Sequence, residues 1–119
     1  MAVSRDFKAY VEELFGALGP VRIKPMFGGA GVYADDLMFA LLADDALYLR
    51  VDGETEPRFA DAGSAPFTYA MKDGREISLG YWRAPDEALE GADEAEPWGR
   101  LALEAALRKR AAKAPKRRR

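Results

Sequence analysis

Three glycines within four residues suggest the first chemistry in this 119-residue chain, because glycine-rich loops hold phosphate groups in many nucleotide enzymes. The stretch is PMFGGAGVYADD, from Pro25 to Asp36. A dinucleotide-binding loop needs a third glycine and a following helix. Position 34 is alanine, however, and the next residues read as a strand. A P-loop needs a Gly-Lys-Ser/Thr triplet, which the chain lacks. We therefore predict that the glycines form a bulge or sharp bend between two strands.

The chain contains no histidine and no cysteine, which removes the commonest general base and the thiolate nucleophile. Ser-His-Asp triads, Cys-His dyads and His-based zinc motifs are therefore excluded. The remaining candidates are the carboxylate pairs Asp35–Asp36 and Asp44–Asp45, each of which follows a short apolar run. Aspartate tolerates left-handed turns, where its carboxylate faces water. We predict turns at both pairs, and hence no catalytic residues, no metal site, no cofactor and no enzymatic activity.

The charge is divided between an acidic body and a basic tail. Residues 1–107 hold 10 basic and 20 acidic residues, whereas residues 108–119 hold 8 basic residues and no acidic ones. We predict a folded domain over residues 1–110 and a disordered basic tail over residues 111–119. The basic tail has three interpretations. It could bind nucleic acid weakly, it could contact the acidic body, or it could serve only to keep the protein soluble. The tail residues assigned to that binding are Lys113, Lys116, Arg117, Arg118 and Arg119.

Apolar spacing and capping residues predict helices at both ends of the domain. After Ser4, a good N-cap, apolar residues recur at helical spacing until Gly19–Pro20, which predicts a helix over residues 5–18. Thr55 is predicted to cap a short helix, and a last helix is predicted from about Pro97. The packing residues of this last helix are predicted to be Trp98, Leu101, Ala105 and Leu107.

The segments between these helices alternate between apolar and polar residues, as half-buried strands do. Residues 21–52 predict a meander of antiparallel strands with tight connections. Residues 67–72 and 77–82 alternate in the same way around Asp73–Gly74, a strong hairpin signal. The sequence therefore predicts a two-layer α+β fold, with an antiparallel sheet of about five or six strands packed against N- and C-terminal helices.

Aromatic residues are spread through the predicted strands. Some sheets use such residues to stack RNA bases, but those surfaces lie in a basic field. Because the turns of this sheet are acidic, we expect core packing for most of its aromatic side chains, which are Phe27, Tyr33, Phe39, Tyr48, Phe67, Tyr69, Tyr81 and Trp82.

The run LMFALLA, residues 37–43, is apolar on both faces of a strand. A sheet covered by helices on one side should be polar on the other. The run therefore predicts either a strand that is covered twice or a contact with another protein, of which a homodimer is the simplest form. The residues assigned to this protein interface are Leu37, Met38, Phe39, Leu41 and Leu42.

The N-terminus, MAVSRDFKAYVEELF, is acidic by position 6 and has no long apolar run, so we do not expect a signal peptide. No stretch approaches the roughly 18 apolar residues of a membrane span. We expect a cytoplasmic protein without a membrane partner.

Four blocks in a fixed order, PMFGGAGVY, LMFALLADDALYLRVD, PRFADAGSAPFTY and ISLGYWRAP, resemble the TfoX N-terminal domain family, also called the Sxy family. The resemblance extends from the first helix to about residue 107. It implies a two-layer α/β fold, and it implies kinship with bacterial regulators of natural competence that act with the cyclic-AMP receptor protein at promoters. The family brings no agreed catalytic residues. The positions that match its motif are Met26, Phe27, Gly28, Gly29, Tyr33, Leu49, Val51, Pro66, Phe67, Tyr69, Leu79, Tyr81 and Trp82.

After residue 107 the chain has only its basic tail, so we expect a stand-alone domain without the helical C-terminal domain that the resemblance implies. The leading functional hypothesis is a non-enzymatic regulatory or adaptor domain that acts through protein contacts in transcription or competence. A nucleic-acid-associated protein that uses its basic tail is the second hypothesis. A small-ligand-binding protein is the third.

Overall fold

The computed structural model describes residues 3–26 and 28–113. It contains three α-helices in this range, α1 (Arg5–Leu14), α2 (Glu56–Asp61) and α3 (Ala92–Lys113). The six strands are β1 (Val21–Met26), β2 (Gly29–Ala34), β3 (Leu37–Ala43), β4 (Ala46–Arg50), β5 (Pro66–Ala70) and β6 (Glu76–Arg83). Two short 3₁₀ turns, Gly16–Leu18 and Asp86–Leu89, follow α1 and β6.

The strands form one antiparallel sheet in the order β1-β2-β3-β4-β6-β5. The helices pack against one face of it, where Val11 of α1, Phe59 of α2 and Ala102 of α3 join a single hydrophobic core. The edge of the Phe15 ring meets the Phe39 ring in this core, with ring centroids 5.3 Å apart. This arrangement confirms the predicted α+β fold with two layers.

The glycine cluster joins β1 to β2. Met26 pairs with Gly29 across the connection, and Gly28 has a φ of 79°, a left-handed conformation that glycine adopts readily. A strand and not a helix follows, so the predicted bend between two strands is confirmed. Gly29 is also held close to its neighbour, because a Cβ there would lie 2.2 Å from the carbonyl oxygen of Leu42.

The aspartate pairs lie in the tight turns that were predicted. Asp35, Asp36, Asp44 and Asp45 all have φ between 50° and 64°, in the left-handed region that aspartate tolerates. The hairpin of β5 and β6 is also present, but its connection is longer than two residues. The Met71 N–H donates to the Arg75 carbonyl at 2.7 Å, so the loop closes outside the Asp-Gly pair.

Helix boundaries differ from the predictions in two places. α1 ends at Leu14 and continues as a 3₁₀ turn, so the predicted helix over residues 5–18 is only partly α-helical. α3 begins at Ala92, five residues before Pro97, which lies inside the helix. Pro97 has no N–H to donate to the carbonyl of Asp93, which lies in the exposed first turn of α3.

Two details of residue roles also differ. Thr55 makes no side-chain cap to α2. Instead its Oγ1 accepts from the Asp52 N–H at 3.0 Å, and the Asp52 carboxylate accepts from the N–H groups of Glu54 and Thr55. Leu107 is not a packing residue of α3, since 49% of it is exposed. Of the other predicted packing residues, Trp98 packs against the core and Ala105 is fully buried, and Ala102 and Ala106 complete the stripe.

Among the described residues, no helix is long and apolar enough to cross a membrane. α3 continues to Lys113, beyond the predicted domain boundary at residue 110. Residues 114–119 lie outside the described range, and the predicted tail over residues 111–119 stays a prediction.

Candidate binding surface

The face of the sheet opposite the helices, called the uncovered face below, carries no helix of the described residues. Strand alternation decides which side chains lie on it. In β2, Val32 and Ala34 belong to the core, so Gly31 and Tyr33 lie on the uncovered face. In β4, Leu47 and Leu49 belong to the core, which places Tyr48 and Arg50 opposite.

A bulge in β3 interrupts this alternation. Val32 pairs with Ala40 but Tyr33 pairs with Met38, so Phe39 is an extra residue in β3. A bulge lets two neighbouring side chains point to the same side, and Phe39 and Ala40 are both fully buried in the core. Met38 and Leu41 are left on the uncovered face.

The centre of the uncovered face is a methionine patch, which consists of Met26, Gly31, Met38 and Leu41. A Cβ on Gly31 would lie 3.0 Å from the sulfur atoms of both Met26 and Met38, so the two thioethers meet over this glycine. Leu41 is the strand partner of Gly31 and is 7% exposed. The missing side chain of Gly31 thus makes room for a continuous apolar strip, and methionine adapts readily to partner surfaces.

Basic side chains border the methionine patch. Arg22 and Lys24 are exposed on β1. The Lys24 ammonium lies 5.0 Å from the centroid of the Tyr33 ring, within the range of a cation–π contact. Strands β1 to β4 contain no carboxylate at all, so the acidic residues of this region are confined to its turns. Arg22 reaches one of them, Asp36, at 3.3 Å.

An open cleft of about 270 Å³ lies where the uncovered face meets the C-terminal part of α3. We call it the basic cleft, because three of its seven lining residues are cationic and none is acidic. The lining residues are Leu37, Met38, Arg50, Tyr81, Ala106, Lys109 and Arg110.

Arg50 is held in position on the wall of the basic cleft. Its guanidinium carbon lies 4.9 Å from the centroid of the Tyr81 ring, and its Nη1 donates to the Leu79 carbonyl at 3.1 Å. Gly80, with a φ of 80°, leaves space beside it, since a Cβ there would lie 3.3 Å from Nη1. The side chain therefore adopts its position without a carboxylate partner among the described residues.

Tyr81 is 6% exposed, and burial raises the pKa of its phenol, an increase that the Arg50 guanidinium partly offsets. The phenol therefore keeps its proton at neutral pH. It adds a neutral hydroxyl to a cleft whose charges are all positive.

Arg108 differs from its neighbours on α3 because it is already paired. Its Nε lies 2.6 Å from the Asp52 carboxylate and 3.3 Å from that of Glu54. Within the described part of the chain, Lys109 and Arg110 form no such ion pair, and both are exposed. Their positive charges are therefore open to a ligand from outside.

The residues predicted for a protein interface do not lie together on one surface. Phe39 and Leu42 are fully buried in the core, and Leu37 is 9% exposed. Met38 and Leu41 belong to the methionine patch on the other face. The interface stays a prediction, and only Met38 and Leu41 are placed to form it.

The aromatic residues divide between the two faces. Phe39 and Trp82 pack into or against the core. Tyr33 and Tyr48 lie half-buried on the uncovered face and not in the core, whereas Tyr81 lies on that face but is buried. Phe67 joins them, since its ring centroid lies 4.7 Å from that of Tyr48. The structure does not describe Phe27 or the side chain of Tyr69.

The residues of the predicted nucleic-acid tail are placed only in part. Lys113 is the last residue of α3, and its side chain lies outside the description. Lys116, Arg117, Arg118 and Arg119 also lie outside the described residues. Sequence reasoning missed Arg50, Lys109 and Arg110 as a group, because 59 positions separate Arg50 from Lys109 along the chain.

A family model described as the TfoX N-terminal domain matches residues 13–106, which is most of the described range. The chain belongs to this family. The resemblance that its sequence blocks indicated is thereby confirmed.

Two curated relatives match parts of the chain, and one of them is named for DNA transformation. The DNA transformation protein TfoX1 of Aliivibrio fischeri is 40% identical over 55 residues, which is 46% of this chain and 26% of that protein. Protein Sxy of Escherichia coli is 30% identical over 89 residues, which is 75% of this chain and 41% of that protein. The chain thus spans less than half the length of either relative.

Proposed function

We propose that this TfoX N-terminal domain is a non-enzymatic regulatory domain that acts in DNA uptake by contact with a partner protein. The observation that carries the proposal is the methionine patch, in which half-buried Met26 and Met38 lie beside buried Gly31 and Leu41 on a sheet face that no described helix covers. The name of the relative from Aliivibrio fischeri, a DNA transformation protein, supports the assignment to DNA uptake.

The apolar strip and its border favour a partner of a particular chemistry. An interface commonly has an apolar centre and a polar rim, and here the rim consists of Arg22, Lys24 and Arg50. A partner with acidic residues around an apolar contact would complement it. A second copy of the chain would not complement this surface, because a symmetric contact would place each cation near the same cation of the other copy.

The first candidate partner is the cyclic-AMP receptor protein of the same bacterium, because the family resemblance implies that partner. We expect purified wild-type domain to bind it in biolayer interferometry. The double variant M26Q/M38Q replaces both thioethers by polar amides of similar length. It should weaken this binding at least about tenfold, the usual cost of losing a central interface contact.

The control is L107Q, which makes an exposed apolar residue of α3 polar at a position outside the patch. It should bind like the wild type, and thermal unfolding of both variants should show intact folds. Equal loss of binding in the two variants would mean that the methionine patch is not the interface.

A genetic test addresses the process itself. Deletion of the gene should lower the transcripts of DNA-uptake genes, and complementation should succeed with L107Q but not with M26Q/M38Q. If the levels of these transcripts did not change after deletion, the proposed regulatory function would be wrong, whatever the result of the binding assay.

A further inference from the structure

We propose that the basic cleft binds a phosphate group of a nucleic-acid backbone. The protein contact proposed above involves the methionine patch and is not needed for this inference. The cleft brings together Arg50 from β4 with Lys109 and Arg110 from α3. Cations from two separate elements thus meet around one open space, where an anion could contact all three.

The chemistry of the cations suits phosphate. A guanidinium offers parallel N–H donors that match two oxygens of a phosphate, and lysine adds a compact positive charge. Arg50 is already oriented by the Tyr81 ring and the Leu79 carbonyl, so little conformational freedom is lost when it binds. The protonated phenol of Tyr81 supplies a further hydrogen-bond donor on the same wall.

The charges in the cleft are not neutralised from within. The residues four positions before Lys109 and Arg110 are Ala105 and Ala106, so α3 offers neither of them an acidic neighbour at that spacing. The C-terminal end of a helix carries roughly half a negative charge. Three full positive charges outweigh it.

The open shape and the position of the cleft suit a phosphate that belongs to a longer chain. The cleft holds about 270 Å³ and is open to solvent, so one phosphate can enter it while the rest of the chain lies outside. After α3 the sequence continues with four more basic residues at positions 116–119. An extended polyanion can satisfy the cleft and those charges together, which one small anion cannot do.

The test uses the full chain and a short fluorescein-labelled oligonucleotide, in single-stranded and duplex form, with binding followed by fluorescence anisotropy. The double variant K109Q/R110Q should weaken binding about tenfold or more, because it removes two charge-assisted contacts. The slope of log affinity against log salt should become shallower by roughly 1.4 for the single strand.

The matched control R5Q/R58Q removes the same charge from exposed residues of α1 and α2, and its affinity should stay within about twofold of the wild type. A tail variant, K116Q/R117Q/R118Q/R119Q, should bind more weakly overall but still lose the same factor when K109Q/R110Q is added. Equal losses in K109Q/R110Q and R5Q/R58Q would overturn the proposal.

Competitors decide the chemistry of the ligand. Inorganic phosphate that displaces the oligonucleotide at low millimolar concentration would assign the cleft to a free anion and overturn the nucleic-acid assignment. Polyglutamate that competes as well as unlabelled oligonucleotide would assign it to an acidic protein, with the same consequence. The single variant M26Q changes a residue of the methionine patch that does not line the cleft. It should keep its oligonucleotide affinity, so the failure of either proposal can be told from the failure of the other.

Discussion

Gly29 and Gly31 lie in the same strand but have different structural roles. Gly29 allows the backbone of β2 to approach the carbonyl of Leu42 in β3, where a side chain would collide with the backbone. Gly31 leaves space for the flexible ends of Met26 and Met38 on the uncovered face. The first glycine is needed for the fold, and the second shapes the surface. Neither opens a helix, as the glycines of a dinucleotide-binding loop do.

At Gly29 this difference gives a direct prediction for stability. The variant G29A should lower the free energy of unfolding by roughly 2 to 3 kcal/mol, because the added Cβ would lie 2.2 Å from a backbone oxygen that cannot move independently. Urea denaturation followed by tryptophan fluorescence measures the change. The control is G53A, where a Cβ meets nothing within 4 Å and φ is not positive. It should alter stability by no more than about 0.5 kcal/mol, and a G29A domain as stable as G53A would contradict the steric role.

At the scale of elements, α3 is fastened to the loop after β4 by a bidentate ion pair. Arg108 donates to both oxygens of Asp52, at 2.6 and 3.1 Å. The same carboxylate accepts from the N–H groups of Glu54 and Thr55, the two residues just before α2. One side chain therefore fixes the start of α2 and the position of α3, on which Lys109 and Arg110 follow directly.

This pair predicts how stability depends on pH. The hydrogen bond from Arg108 is the main reason why the pKa of Asp52 lies below its ordinary value of 3.8. The folded state thus favours the ionised carboxylate, so the stability it contributes is present above pH 3.8 and is lost as the pH falls through the lower folded value. D52N should be less stable than the wild type by roughly 1 to 2 kcal/mol at pH 7.

The difference in the free energy of unfolding between the wild type and D52N should become smaller when denaturation is repeated below pH 3.8. D73N is the control, because the Asp73–Arg75 pair is largely exposed and such pairs contribute little. If this difference were the same at neutral and at acidic pH, Asp52 would stabilise the fold by packing and not through its charge.

Sequence reasoning predicted the elements whose signals are local. The apolar stripe of α1, the left-handed aspartate turns and the glycine bend all follow from neighbouring residues. The early start of α3 was missed, because Pro97 signals a first helical position more strongly than it signals the sixth. The bulge at Phe39 was also missed, since an extra residue in a strand changes no local composition.

The candidate site was harder to predict because it depends on tertiary arrangement. In the sequence, Arg50 looks like any polar residue of a strand that alternates between apolar and polar positions. Lys109 and Arg110 appear as the end of a helix or the start of a tail. Only the packing of α3 against β3 and β4 brings the three charges together, and no spacing along the chain encodes that contact.

The whole molecule separates its charges by surface. Its net charge is −2, yet strands β1 to β4 hold basic and no acidic residues, while the acidic residues of this region lie in turns. Because the helices cover one face, the basic residues Arg22, Lys24 and Arg50 are presented together on the other. The average charge of the chain therefore describes neither face.

This separation predicts the oligomeric state. An isologous dimer built on the methionine patch would bring each of these cations close to its counterparts around the twofold axis, and like charges at such a contact oppose binding. We expect the purified domain to sediment as a monomer at every concentration tested, at low and at high salt. A dimer that M38K converts to a monomer, while L107K does not, would establish the homodimer predicted from the LMFALLA run. A second copy would then cover the uncovered face, and the regulatory partner would have to bind to another surface.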